Sequence, residues 1–137
     1  MSKLFTSRVN AGAVNFAMLI LRVVSGGMMF THGWAKLNSF SAKKDGFPDP
    51  LHVGHAVSMS LTVFAEALCA ALIVVGLLTR LAAIPLVICM GVVIFMVKKG
   101  APLNENEMAI LFLAAFIAIL FAGPGKFSLD HVFGKGK

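Results

Sequence analysis

The chain has 137 residues, 58% of them hydrophobic and 13% charged, with a mean hydropathy of +0.89 and a net charge of +6. That balance excludes an ordinary soluble globular domain, and the length suits a single domain spanning residues 1–137. The basic residues sit at segment ends and in loops, where lipid headgroups and topology explain them; no arginine-rich arm or basic-aromatic run supports nucleic-acid binding.

Four apolar stretches follow in chain order. Segment one runs from about Val14 to Trp34, and it is too long and too charged at Arg22 to be a cleavable signal peptide, so it is expected to remain as a membrane helix. A polar loop with Pro48 and Pro50 leads to segment two, Ala56 to Leu78. Thr79-Arg80 then makes a tight hairpin into segment three, residues 81–97. After a short loop with Gly100 and Pro102, segment four covers about Glu105 to Ala122 and ends at Gly123-Pro124-Gly125. Crossing a hydrocarbon core of ~30 Å takes about 20 residues, with ~17 as the lower limit. Segments one and two qualify easily, and the shorter pair qualify marginally. The expected fold is all-α, an integral membrane four-helix bundle.

Four spans put both termini on one side of the membrane. Lys3, Arg8, Arg80, Lys126, Lys135 and Lys137 share that side, against Lys36, Lys43, Lys44, Lys98 and Lys99 on the other, which favours cytoplasmic termini. Cys69 and Cys89 lie inside apolar segments and form no disulfide framework. They fall at similar depth across the hairpin, but apolar filling is the usual role of such residues.

Two segments carry an ionisable residue well inside them, Arg22 and Glu66. A charge at that depth costs roughly 2.5–3.5 kcal/mol on insertion scales, so it is expected to face protein. On a helical projection Arg22, Ser25, Gly26, Met29, His32, Gly33 and Lys36 share an arc of about 120°. His55, Ser58, Met59, Thr62, Glu66, Cys69, Ala70, Ile73 and Gly76 share a face of segment two. Counting inward from the loop that joins the segments, Arg22 and Glu66 differ in depth by about 6 Å, within reach of an arginine. The spacing therefore predicts an Arg22–Glu66 ion pair. Such a pair serves either as a structural clamp or as a ligand or proton site, and both readings stand at this point.

His32, Lys36, His52, His55, Lys98, Glu105 and Glu107 gather toward the outer end of the bundle. The His52-x-x-His55 spacing closes no ligand set with Asp45 and Asp49, so no metal is expected. At the inner end Arg80 and Asp130 are placed to form a salt bridge tying the C-terminal tail to the hairpin.

The stretch Arg22-x3-Gly26-x3-Phe30-x-His32-Gly33-x2-Lys36 resembles the first-helix pattern of the DoxX family of small membrane proteins. So do Glu66-x9-Gly76-Leu77-Leu78-Thr79-Arg80 and Gly123-Pro124-Gly125-Lys126-x-Ser128-Leu129-Asp130, in the same order along the chain. The resemblance implies a four-helix protein of the bacterial inner membrane, related to a subunit of a thiosulfate:quinone oxidoreductase and to proteins of quinone and oxidative-stress responses. It implies a component of a quinone-linked oxidoreductase or redox-stress system, with a polar site inside the bundle drawn from Arg22, His32, Lys36 and Glu66. No flavin, nucleotide or iron–sulfur motif is evident in the sequence, so a redox cofactor is expected to be a membrane quinone or to arrive with a partner redox subunit. The other reading is a non-enzymatic membrane scaffold, or a binder of a small apolar ligand or lipid. Homo-oligomers are compatible with the small residues Gly27, Thr31, Ala114, Ala115, Ala118 and Ala122.

Overall fold

In a computed structural model, which describes residues 4–134, four helices are long and apolar enough to cross a membrane. They are α1 (Ala11–Asn38), α3 (His55–Val75), α4 (Thr79–Val97) and α5 (Leu103–Ala122). Two short helices, α2 (Phe40–Lys43) and α6 (Leu129–Phe133), complete the order, and no strand occurs among the described residues. Lys3, Lys135 and Lys137, used in the charge count above, lie outside the described residues.

Local chemistry explains the boundaries. The Asn10 side chain accepts from the Ala13 amide at 3.2 Å and starts α1. At 28 residues α1 is about 42 Å long, so it outruns the hydrocarbon core and carries Lys36 into the headgroup region. Helix α3 stops at Val75, three residues before the expected end. Gly76 takes a left-handed conformation (φ +75°), and the Leu77 amide reaches back to Leu72 O at 2.9 Å, the pattern of a glycine C-cap. Gly123 (φ +83°) and Pro124 end α5.

Two helices depart from regular α geometry. The middle of α3, Phe64–Cys69, is π-helical, and so is the last turn of α4, Val93–Val97. Pro85 sits inside α4 and removes one backbone donor there. A π turn inserts an extra residue into the turn and is frequent at functional sites.

The four long helices form an antiparallel ring in which α1 packs on α3 and α5, and α4 packs on α3 and α5. Met29, Met59, Ile73, Leu86, Phe116 and Ile119 are buried at its centre. The outer surface is apolar: Leu111 is 71% and Phe121 79% exposed, as expected where lipid is the solvent. Helices α1 and α3 approach most closely because of two glycines one heptad apart. A Cβ on Gly33 would overlap the Glu66 carbonyl carbon and the Ala67 nitrogen, and one on Gly26 would press on Ala70 O and the Val74 side chain.

Candidate functional site

Those glycine contacts fix the register of α1 against α3, and the register overturns the expected Arg22–Glu66 pair. Glu66 stands opposite Gly33, 11 positions further along α1 than Arg22 and hence about 16 Å away along the axis. Side chains on a helix also lean toward its N-terminus, so Arg22 leans away from Glu66 while Lys36 leans back toward it. Lys36 Nζ accordingly lies 2.8 Å from Glu66 Oε1 and 2.6 Å from Oε2, a two-pronged ion pair. Glu66 is buried at 2% exposure, and Lys36 retains 34%.

The Lys36–Glu66 pair forms the polar end of a cavity of ≈570 Å³. His32 and Cys89 flank it. The Cys89 thiol is directed at Glu66 Oε2 at 3.9 Å, and the His32 ring meets Phe112 edge to face with centroids 6.1 Å apart. The remaining wall is mainly apolar, with Met29, Leu61, Phe64, Ile88, Val93 and Met108 prominent, and the loop residues Phe47, Pro48 and Leu51 contribute to it. Lys98 and Glu105 lie at the rim, so the charged side chains of the wall balance as two cations and two carboxylates. Of the residues singled out from the sequence, His32, Lys36 and Glu66 come together here and Arg22 does not. Cys89 was read from the sequence as apolar filling at similar depth to Cys69; its approach to Glu66 became visible only with the hairpin placed at Gly76.

No cluster of three or more His, Cys, Asp or Glu side chains placed to hold a metal ion occurs among the described residues, His52 and His55 included. His55 Nδ1 contacts Phe47 O at 2.5 Å, and Asp49 organises the loop instead. Its carboxylate accepts from Ser58 Oγ at 2.7 Å and from the Val53 and Gly54 amides at 3.0 and 2.8 Å. The Ser58 hydroxyl above all, reinforced by those amides, holds the Asp49 carboxyl below its ordinary value.

Arg22 belongs to a second polar centre at the opposite end. It is fully buried, and Nη1 donates to Ile73 O at 3.1 Å and Val74 O at 3.2 Å, the free carbonyls where α3 ends, while Nη2 donates to Phe127 O. A cation at a helix C-terminus is favoured by the helix dipole as well as by the hydrogen bonds. The expected Arg80–Asp130 salt bridge does not form. Asp130 instead accepts from the Leu78 and Thr79 amides at 2.7 and 2.9 Å, capping the start of α4, and its own amide donates to Gly76 O at 2.8 Å. Arg80 lies along Gly123 and reaches Phe121 O at 3.4 Å. An exposed arginine satisfied by a carbonyl leaves the carboxylate free for two orphan helix donors, which charge-assisted bonds serve better. Burial pushes the Asp130 carboxyl up, but the bonds from Thr79 and Leu78 and the charge of Arg22 together outweigh it and hold it below its ordinary value.

An all-helical bundle with four spans, a charge-balanced cavity at one end and a C-terminal segment tied to Arg22 and the α3–α4 hairpin at the other defines a small multi-pass membrane protein. Residues 17–99, more than half of the chain, match the DoxX family, and the protein belongs to it. A protein of Haemophilus influenzae described as uncharacterized is 26% identical over 127 residues, which is 87% of this chain and 84% of that protein. No solved structure matches.

Proposed function

We propose that the protein binds a membrane quinone in the cavity and serves as the membrane component of a quinone-linked oxidoreductase. The observation that carries this reading is the Lys36–Glu66 pair in the wall of a mainly apolar cavity. A quinone head is uncharged and presents carbonyl oxygens, which need donors. The partly exposed Lys36 ammonium supplies one, and Glu66 neutralises it, so neither an anionic nor a cationic head gains from the site. A bound quinone would supply the two-electron, two-proton chemistry. The chain's own part is to orient the head, shield it from water and hold protons at Glu66 Oε and the Lys36 amine. Electrons would come from a partner redox subunit; the family resemblance implies the bacterial inner membrane, and the distribution of basic residues favours cytoplasmic termini.

The test is direct. Purified protein in detergent should carry extractable quinone, and saturating ubiquinone or menaquinone analogues should raise its thermal midpoint. No co-purifying quinone and no shift would remove the basis of the reading.

The apolar majority of the wall also favours a second reading, a non-enzymatic binder of a small apolar ligand or lipid. Glu66→Gln separates the two. A folded variant that has lost quinone binding supports the first, and one that keeps unchanged affinity for apolar ligands but never had quinone affinity supports the second. The exposed Ala114 and Ala118 on α5 would suit contact with another copy of the chain in either case.

A further inference from the structure

Helices α3 and α4 are joined by the tight hairpin at Gly76, yet they do not stay together along their length. Helix α4 meets α3 along Phe64–Val75, whereas the first turns of α3, His55–Val63, pack on α1. The final π turn of α4, Val93–Val97, packs on α5. The two helices therefore spread apart toward the outer end, and the spread starts at Phe64, where the π-helical stretch that holds Glu66 begins. Pro85 lies on the α4 side of the same region and lines the cavity.

The cavity fills that V. Three of its wall residues are also on the outer surface of the bundle: Leu61 is 54%, Phe64 47% and Ile88 59% exposed. All three are apolar and stand on membrane-spanning helices. A side chain that both lines a cavity and faces the bilayer marks an opening between the two. The loop residues Phe47, Pro48 and Leu51 also line the cavity, and Leu51 is 51% exposed, so the loop borders a second opening, toward the aqueous side.

We propose that the gap between α3 and α4, rimmed by Leu61, Phe64 and Ile88, is a lateral portal through which a lipophilic ligand enters from the bilayer. The ligand's head advances to Lys36 and Glu66, and its hydrocarbon tail remains among the lipid chains outside the rim. A cavity of ≈570 Å³ accommodates a ring-sized head and leaves a long isoprenoid tail no room inside. The charge-balanced wall admits a neutral head and gives no site for a phosphate or carboxylate. This inference rests on the quinone reading for the identity of the head, and on the helix divergence for the route.

The experiment uses the full chain in lipid nanodiscs with a ubiquinone analogue that carries a diazirine in its alkyl tail, and maps adducts by mass spectrometry. The portal requires adducts at Leu61, Phe64 or Ile88 that decylubiquinone competes away. In parallel, Ile88→Trp should weaken decylubiquinone binding about tenfold, while Leu111→Trp, on the lipid-facing side of α5, should leave it unchanged. Competed adducts confined to residues 44–54, or to α5, together with unaltered binding in Ile88→Trp, would overturn the portal while leaving quinone binding intact. Absence of any competed adduct together with absence of a thermal shift would overturn the quinone reading and the portal with it.

Discussion

Lys36 and Glu66 form a two-pronged ion pair, Nζ to Oε2 at 2.6 Å, between the last turns of α1 and the π-helical middle of α3. Removing the lysine strands a nearly buried carboxylate, whereas removing both charges leaves a neutral site. Truncating one member of a buried pair costs ~3–5 kcal/mol, and the partial exposure of Lys36 places Lys36→Met below that range. Thermal unfolding in detergent is expected to show Lys36→Met less stable than wild type, and the double variant Lys36→Met, Glu66→Gln recovering much of the loss. A double variant no better than the single one would show that the pair is not coupled.

Gly33 is where the backbones of α1 and α3 touch. A methyl group there would overlap the Glu66 backbone, and backbone cannot step aside as a side chain does. Gly33→Ala is expected to destabilise the bundle by at least the ~1–3 kcal/mol typical of overpacking and to disturb the Lys36–Glu66 geometry. Gly27, with open space around it, is the control, and Gly27→Ala should change the thermal midpoint little. Equal effects at both positions would contradict the register.

Arg22 binds three carbonyls from two chain segments, the end of α3 and the C-terminal strap at Phe127. Lysine offers one compact charge in place of the planar fork and cannot reach all three. Arg22→Lys should therefore release the strap before the bundle unfolds. Limited proteolysis should cut the variant near residues 123–130 under conditions that leave the wild type intact.

The carboxylate cap on α4 predicts acid sensitivity. Asp130 in the folded protein titrates below its ordinary value of 3.8. With the folded value below the unfolded one, its stabilisation is complete above about pH 4 and is lost as pH falls through the folded value. Asp49 shares that direction through Ser58. The thermal midpoint should thus drop below about pH 4, and Asp130→Ala should flatten that drop while lowering the midpoint near neutrality.

Most of the fold was legible in the sequence because lipid leaves few choices. Long apolar runs must become helices, and Gly123 and Pro124 mark where the last one stops, whereas the stop at Gly76 was placed three residues late. The buried face of α3 was legible too, since Ser58, Met59, Glu66, Cys69, Ala70 and Ile73 recur at helical spacing and are buried. The partner of Glu66 was not legible. Counting inward from the loop assumed level helix ends, whereas the contacts of Gly26 and Gly33 set the register, and the lean of side chains toward the N-terminus selected Lys36 over Arg22. Asp130 was misassigned because Arg80 offered an obvious charge, while its actual partners are backbone amides that carry no sequence signal. The π turn and the divergence of α3 from α4 depend on how three helices pack at once, so the cavity had no signature in any one segment.

The central claim is that Lys36 and Glu66 receive the head of a quinone. The most direct measurement is the affinity of decylubiquinone for the wild-type protein and for Lys36→Met in nanodiscs, with folding of both checked by circular dichroism. Saturable binding to wild type, weakened about tenfold or more in Lys36→Met, is the predicted result. Absence of saturable binding to wild type, or equal affinity in a folded Lys36→Met variant, would contradict it.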